Sequence, residues 1–377
     1  MRAWWAKASK APSSDEWGGS DSRLVAEMTL PSRRYCTYFN AAYEPRARVM
    51  VESLRASGED ATVLAVCFDE ESLRSARDWD MGDVDARGIA ELVERFPSLG
   101  PLRETRTPAE YFFTATPFVV LWALSESSLD EWVTYLDADL FFLSSPEPIY
   151  DELGAAHAGI IGHRFRDDHR FLERYGRFNV GWVSFRAGDK GHGLARWWGD
   201  RCAEWCFDYP DQGRYADQGY LDSFVDVGSG VRVITHPGAD LAPWNLDTHE
   251  VTRAADGKVL VDGAPLIFFH QHGLKRVGRL YAMSHLRYGT TANDVVRDCV
   301  YAPYVKRLVA AERLWSKLPG AEARGRGRRG LGWPLARWRG WRSLRREIRE
   351  GGAWSAPIIA DAGRATSPRR SGDRSRA

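Results

Sequence analysis

The chain has 377 residues, 12% of them aromatic, which is enough to bury a sizeable core and supports one large globular domain with appendages. Its charges nearly cancel to a formal +1, but residues 321–377 hold fifteen Arg and no Lys against five acidic groups, so a basic tail of net charge +10 follows a body of net charge −9. Five cysteines (Cys36, Cys67, Cys202, Cys206 and Cys299) exclude a fully paired disulfide framework, and the longest apolar run, Phe112 to Leu124, is too short and too interrupted by Thr114, Thr116 and Pro117 to cross a bilayer.

Residues 1–33 are polar, are broken by Pro12 and Gly18-Gly19, and lack the apolar segment of a secretory signal. They read as a disordered leader, with Met28 a second candidate start just ahead of the first strand. Together with unpaired cysteines this predicts a cytoplasmic protein. From Tyr35 the pattern alternates: strand Tyr35 to Phe39, helix Pro45 to Ser57, strand Ala61 to Phe68, helix Glu70 to Trp79, strand Val84 to Arg87, helix Ile89 to Phe96. A further helix is expected over Pro117 to Ser127, a strand over Val133 to Leu136, a helix over Pro146 to Leu153 and a strand over Ala158 to Gly162. Such alternation predicts an α/β fold with a mostly parallel sheet flanked by helices.

The second half is less regular. A strand is expected over Phe178 to Phe185, an amphipathic helix over Gly193 to Phe207, and a short helix over Gln218 to Phe224. A hairpin turning at Asp262-Gly263 should fill Lys258 to Phe269, and a closing helix Tyr301 to Leu318. Cys202 and Cys206 share a helical face with Trp198 and Trp205 and read as core, as does Trp182. The folded body is thus expected over 34–318, followed by a tail over 319–377.

Within this frame, Asp137-Ala138-Asp139 directly follows the apolar Tyr135-Leu136 and precedes Leu140-Phe141-Phe142. Two carboxylates at the C-terminal end of a buried strand sit where open α/β sheets bind ligands, and hard carboxylate oxygens suit Mg²⁺ or Mn²⁺ shared with substrate phosphates. Four other segments complement such a site. Thr37-Tyr38-Phe39-Asn40-Ala41-Ala42-Tyr43 places aromatic and polar groups beyond the first strand, suited to a nucleobase. Asn179-Val180-Gly181 joins an amide to a glycine that lets a ligand near the backbone. Asp217-Gln218 adds a carboxylate and an amide at a helix start, and His270-Gln271-His272-Gly273-Leu274-Lys275 adds imidazole, a flexible glycine and a cation.

In this order the segments resemble the GT-A nucleotide-sugar glycosyltransferases, most closely the glycogenin-like and lipopolysaccharide glycosyltransferase group known as family 8, over Tyr35 to Lys275. The resemblance implies that Asp137, Asp139 and His270 bind Mn²⁺ (or Mg²⁺), and that Thr37, Phe39, Asn40 and Tyr43, with Asp137, hold the nucleotide. It implies further that Asn179, Gly181, Asp217 and Gln218 surround the donor sugar, that Asp217 and Gln218 serve catalysis, and that Gly273 and Lys275 meet phosphate. Two departures stand out: the Lys usual on the helix before Asp-x-Asp is replaced near Phe118, and the usual Lys-Pro-Trp reads Lys275-Arg276-Val277. Arg103, Arg106 and Arg276 join Lys275 as candidates for the diphosphate.

The implied activity is transfer of a hexose from a nucleotide-sugar donor, a UDP-sugar, to a saccharide or lipid-linked acceptor hydroxyl with retention of configuration. A non-catalytic sugar-nucleotide or glycan-binding protein is the main alternative. A sugar-1-phosphate nucleotidyltransferase is disfavoured, because Tyr38-Phe39-Asn40-Ala41-Ala42 stands where such enzymes carry a Gly-rich basic loop. In the tail, Trp333, Trp338 and Trp341 among arginines suit contact with an anionic membrane better than base reading, so nucleic acid is disfavoured as a partner; a disordered, solvated tail is the alternative, Pro334 and Gly340 breaking any helix there.

Overall fold

In the computed structural model, residues 32–227, 230–277, 280–317 and 353–355 are described. Strand β1 (Arg33–Phe39), helix α1 (Glu44–Ala56), β2 (Thr62–Cys67), α2 (Glu70–Arg77), β3 (Val84–Gly88), α3 (Ile89–Arg95) and α4 (Leu99–Thr105) form a regular α/β run. Helix α5 (Pro108–Ser125), β4 (Trp132–Leu136), β5 (Leu140–Phe142), α6 (Glu147–Leu153), β6 (Ala158–Gly162), β7 (Phe178–Arg186), α7 (Asp189–Glu204), α8 (Phe224–Val227) and β8 (Val231–Ile234) complete the main layers. These eight strands, β5 excepted, make a sheet in the order β3-β2-β1-β4-β7-β6-β8, in which β7 alone runs antiparallel to its neighbours. Helices cover both faces, α5 and α7 over one apolar cluster and α1, α2 and α6 over the other. The expected mostly parallel α/β sheet is therefore present, with the arrangement of a GT-A catalytic domain.

Two helices differ from the sequence expectation. Helix α5 starts at Pro108, not at Pro117, which lies inside it. Thr107 accepts from the Glu110 backbone N–H while the Glu110 carboxylate accepts from the Thr107 N–H, a reciprocal cap worth about 1 kcal/mol. Because α5 is packed between the sheet and α7 it is apolar nearly all round, so no amphipathic period marked its first turns. Helix α7 likewise begins earlier than the expected Gly193, at Asp189, and runs through Gly191 to Glu204. Gly191 is required by packing, since a Cβ there would lie 2.0 Å from the Arg186 carbonyl oxygen. Helix α4 was not anticipated.

Short strands build the rest: β9 (Val251–Arg253), β10 (Val259–Val261), β11 (Ala264–Pro265), β12 (Phe268–His270), β13 (Lys275–Val277) and β14 (Leu280–Ala282). The hairpin turns at Asp262-Gly263 as expected, Asp262 and Gly263 both having positive φ, but its second arm is brief. The chain then leaves β10, and β12 pairs antiparallel with β5, bringing His270 opposite Leu140. Helix α9 (Ala302–Lys317) closes a third apolar cluster over β12 and α1. Within the tail, β15 (Ala353–Ser355) pairs with β14; the rest of the expected leader and tail lies outside the described residues. Among the described residues no helix is long and apolar enough to cross a membrane. The cysteines are free, and Cys202 and Cys206 lie in the core with Trp198 and Trp182 is fully buried, as expected.

Candidate metal centre and active site

The Asp-x-Asp turn leaves the sheet at the C-terminal end of β4, where Asp137 still donates its backbone N–H to the Gly181 carbonyl of β7 (3.0 Å). Next to it, the β5–β12 ladder delivers His270, whose Nε2 lies 3.1 Å from an Asp139 oxygen and 3.6 Å from an Asp137 oxygen. One ligand atom from each of the three groups falls within 4.8 Å of the others, a spacing that admits a divalent cation. The residues fit such an ion chemically, since two hard carboxylates and an imidazole converge from two chain segments that share a small ladder. The structure contains three converging protein groups, while a hexacoordinate ion would need further ligands from water or substrate.

Electrostatics reinforce this fit. Burial pushes the Asp137 carboxyl up, to about 6, with His270 opposing the shift. Against its own burial, Asp139 is held low by the neighbouring imidazole. Burial likewise disfavours charge on His270, yet the Asp139 and Asp240 carboxylates raise it well above the usual imidazole range. Counting Asp240, three carboxyl groups thus surround this one imidazole.

Strand β7 shapes the adjoining wall. Its register against β6 jumps from Ile160–Val183 to Ile161–Asn179, a bulge that frees Val180 to Trp182 from β6 while β4 keeps Trp182 opposite Leu136. In the bulge, the Asn179 Oδ1 accepts from the Gly181 N–H (2.7 Å) and its amide nitrogen meets His163 Nε2 (3.2 Å). Gly181 is demanded by close approach: a Cβ would lie 2.5 Å from Asn179 Oδ1 and 2.9 Å from the His270 ring.

From this wall a cavity of about 740 Å³ opens, lined by Asp137, Asn179, Asp217, Gln218 and His270 together with Tyr38, His163 and Trp244. Phe171 and Tyr209, two large aromatics at its margin, are more than half exposed. Asp217 is 4% exposed, and burial, with the Asp137 charge adding to it, pushes its carboxyl up to about 7. Gln218 donates to the Tyr175 carbonyl (2.8 Å), which fixes its side chain at the edge of the cavity. Burial pushes His163 down to about 4, so it serves as a neutral hydrogen-bonding partner of Asn179.

The structure thus gathers Asp137, Asp139, Asn179, Gly181, Asp217, Gln218 and His270 in one place. The expected nucleobase group is more dispersed. Phe39 is not on an open surface: it is 3% exposed and stacks on Trp79 at 5.3 Å, because alternate residues of β1 face the helical layer formed by α1 and α2. Thr37 is also wholly buried, its hydroxyl without a hydrogen-bond partner. Asn40 shapes the turn into α1, its Oδ1 accepting from Ala42, whereas Tyr43 is half exposed beneath the Arg46 guanidinium. Gly273 adopts a positive φ, and a Cβ there would lie 2.9 Å from the Ser284 side chain; Lys275 is exposed on β13. Neither lines the cavity.

Among the basic candidates, Arg106 is buried against Thr114 and the Ala203 carbonyl, bracing α5 on α7, and Arg276 pairs with Glu312. A cation that does feel the site is Arg46, which donates to the Leu274 carbonyl (2.8 Å) and is influenced by the Asp139 charge; Arg287 lines the cavity itself. Sequence reasoning passed over it, as it did Tyr135, whose hydroxyl donates to Asp137 Oδ1 (2.9 Å), and Asp240 and Trp244 beside His270. Of these, Tyr135 had a signal: two residues before Asp137 on an alternating strand, it shares that residue's side of the sheet.

Fold and site together define an α/β protein of GT-A architecture with a candidate divalent-cation centre at the carboxyl end of its sheet. No protein-family model matches the chain. It is 32% identical over 250 residues to the protein printed as "Uncharacterized protein YfnF" of Bacillus subtilis (strain 168), a match covering 64% of this chain and 82% of that protein, and it belongs to the same family. It is also 28% identical over 264 residues to "Uncharacterized protein YfnD" of the same organism, covering 69% of this chain and 83% of the relative. Similar solved structures include the galactosyltransferase LgtC in complex with donor and acceptor sugar analogs (18% identity, TM-score 0.45, 78% of this chain and 99% of that one). Another is the apo form of mouse xyloside xylosyltransferase 1 (13% identity, TM-score 0.40, 64% and 98%).

Proposed function

We propose that this protein is a metal-dependent glycosyltransferase that moves a hexose from a nucleoside-diphosphate sugar, a UDP-sugar, to a hydroxyl of a saccharide or lipid-linked acceptor, with retention. The observation that carries this reading is the convergence of Asp137, Asp139 and His270, two of which, Asp137 and His270, line a cavity whose wall also bears Asp217 and Gln218. Asp137, Asp139 and His270 would hold Mn²⁺ or Mg²⁺, which when bound neutralises charge on the departing diphosphate.

The chain's own groups divide the remaining work. Tyr43 and Asn40, beyond β1, flank the nucleotide, with Thr37 supporting them from the strand, while Arg46 offers a positive charge beside Asp139. Asn179 and Gly181 bound the sugar-facing wall. Asp217 and Gln218 face the developing positive charge on the sugar, with Gln218 held by Tyr175. Gly273 gives its loop the turn that leads to Lys275, an exposed cation for the diphosphate.

Mixing the intact protein with UDP-sugars and Mn²⁺ and measuring released UDP tests this directly. Donor hydrolysis that stops in EDTA is expected; metal-dependent donor binding with no release over long incubation would instead favour a non-catalytic sugar-nucleotide-binding protein. For the tail, we infer peripheral contact with an anionic cytoplasmic membrane face, supported by its arginine and tryptophan content. Cosedimentation with anionic vesicles should be strong at low salt and weaken as salt rises. No sedimentation at low salt would remove that part of the reading.

A further inference from the structure

The loop before β9 places a carboxylate behind the candidate metal ligand His270. Asp240 is 1% exposed, neither of its side-chain oxygens has a hydrogen-bond partner, and one of them lies 3.5 Å from His270 Nδ1. Nε2 of the same ring faces Asp139 and Asp137 on the opposite edge. A buried carboxylate costs several kcal/mol unless neighbouring charge or polar groups offset it.

The loop is built to hold this position. Asp240 adopts φ 59°, a left-handed conformation that Asp tolerates better than most residues. Its carbonyl accepts from Arg164 (3.1 Å) and from the Asn245 side chain (3.0 Å), while the Asn245 Oδ1 in turn accepts from the Ala242 N–H (2.8 Å). The next residue, Leu241, bridges to β12 and accepts from the His270 N–H (2.9 Å), tying the loop to the strand that carries the imidazole. On the ring's other sides stand the Gly181 backbone and the edge of Trp244, 5.2 Å between centroids.

We propose that Asp240 is the positioning residue of the metal centre, its carboxylate keeping the His270 ring turned so that Nδ1 carries the proton and the Nε2 lone pair faces the site between Asp137 and Asp139. Metal-bound histidines commonly hand their second ring nitrogen to a carboxylate, which fixes tautomer and orientation and strengthens the ligand. Asp240 faces the Nδ1 edge of the ring and Asp137 and Asp139 the Nε2 edge, so its part would be to hold the imidazole and not to ligate. The inference rests on reading the triad as a metal centre.

The test measures Mn²⁺ affinity of the full chain by titration calorimetry and by electron paramagnetic resonance of free Mn²⁺, with no turnover involved. Asp240→Ala is expected to raise the Kd for Mn²⁺ by about 10- to 100-fold, with Asp240→Asn, which keeps the size and an oxygen acceptor, losing less. In a His270→Ala background, Asp240→Ala should change the Kd by less than about twofold, since an effect relayed through the imidazole has no route left. The Asn variant keeps the measurement open should the Ala variant fail to fold. Equal affinity in the parent, Asn and Ala proteins would overturn the proposal, as would losses that simply add in the double variant, which would make Asp240 a structural partner of Arg164. A parent protein that binds no divalent cation would overturn the metal reading itself, a result distinct from either.

Discussion

The two halves of the sheet do different jobs. From β1 to β4 the chain is a regular parallel ladder with buried apolar strands and helices of ordinary start and stop, and it contributes the two aspartates as the simple continuation of β4. From β6 onward the ladder is bulged, and Arg164, Ala216 and Asp240 have positive φ. That half supplies His163, Asn179, Asp217, Gln218, Asp240 and His270. The lesson is that a stiff platform sets where the carboxylates stand, while irregular backbone aims the groups that complete the site.

The largest effect should come from the regular half. Asp137→Asn or Asp139→Asn, each nearly isosteric, should lower donor cleavage about a thousandfold or more while leaving the protein folded by circular dichroism, since removal of one key electrostatic group costs on that order. Full turnover of the parent in EDTA would break the comparison at its root.

The bulged half offers the next test. Gly181→Ala forces a methyl to within 2.5 Å of Asn179 Oδ1 and 2.9 Å of the His270 ring. It should destabilise the fold by about 1–3 kcal/mol, read by urea unfolding, and weaken Mn²⁺ binding as well. Unchanged stability would mean that the bulge is pliable, not aimed.

Asp217 allows a check on sign. Its carboxyl is raised to about 7 by burial, so in the metal-free folded protein it keeps a proton that the unfolded chain loses near the ordinary carboxylate range. Stability from this group is full below the unfolded value, falls as pH rises between the two values, and is flat above the folded one, at a slope of up to about 1.4 kcal/mol per pH unit. Asp217→Asn cannot ionise, so its stability relative to the parent should climb from pH 4 to pH 7 and then level off. A difference independent of pH would show that Asp217 is not held protonated.

The smallest difference separates the two ends of the cavity. Gln218→Ala should lower kcat more than it raises the donor KM, and Tyr43→Ala the reverse, if the amide serves the reacting sugar and the tyrosine the nucleotide. Equal effects on both parameters from either change would erase that division.

Much of this was legible without coordinates. The alternation of apolar strands and helices before Asp137 announced the mostly parallel sheet, and strand Ala158 to Gly162 falls where it was expected. Asp137 and Asp139 were readable as candidate ligands because Asp-x-Asp ends an apolar strand, and His270 joined them through the family resemblance. Phe39 misled: its aromatic character suited a base, but β1 turns that ring onto Trp79.

By itself, then, the sequence determined the alternation of strands and helices in the first half and the two candidate carboxylate ligands, since local periodicity and an Asp-x-Asp after an apolar strand are written in neighbouring residues. Tertiary structure alone decided the partner of β12, the bulge in β7, the start of α5 and the place of Asp240. Each depends on contacts between segments far apart in the chain, where neither periodicity nor spacing carries a signal. Asp240 is the plainest case. In sequence it is one acid in a Pro-Gly-Ala-Asp turn; only the pairing of β12 with β5, and of Leu241 with Phe269, sets its buried side chain behind the imidazole of His270.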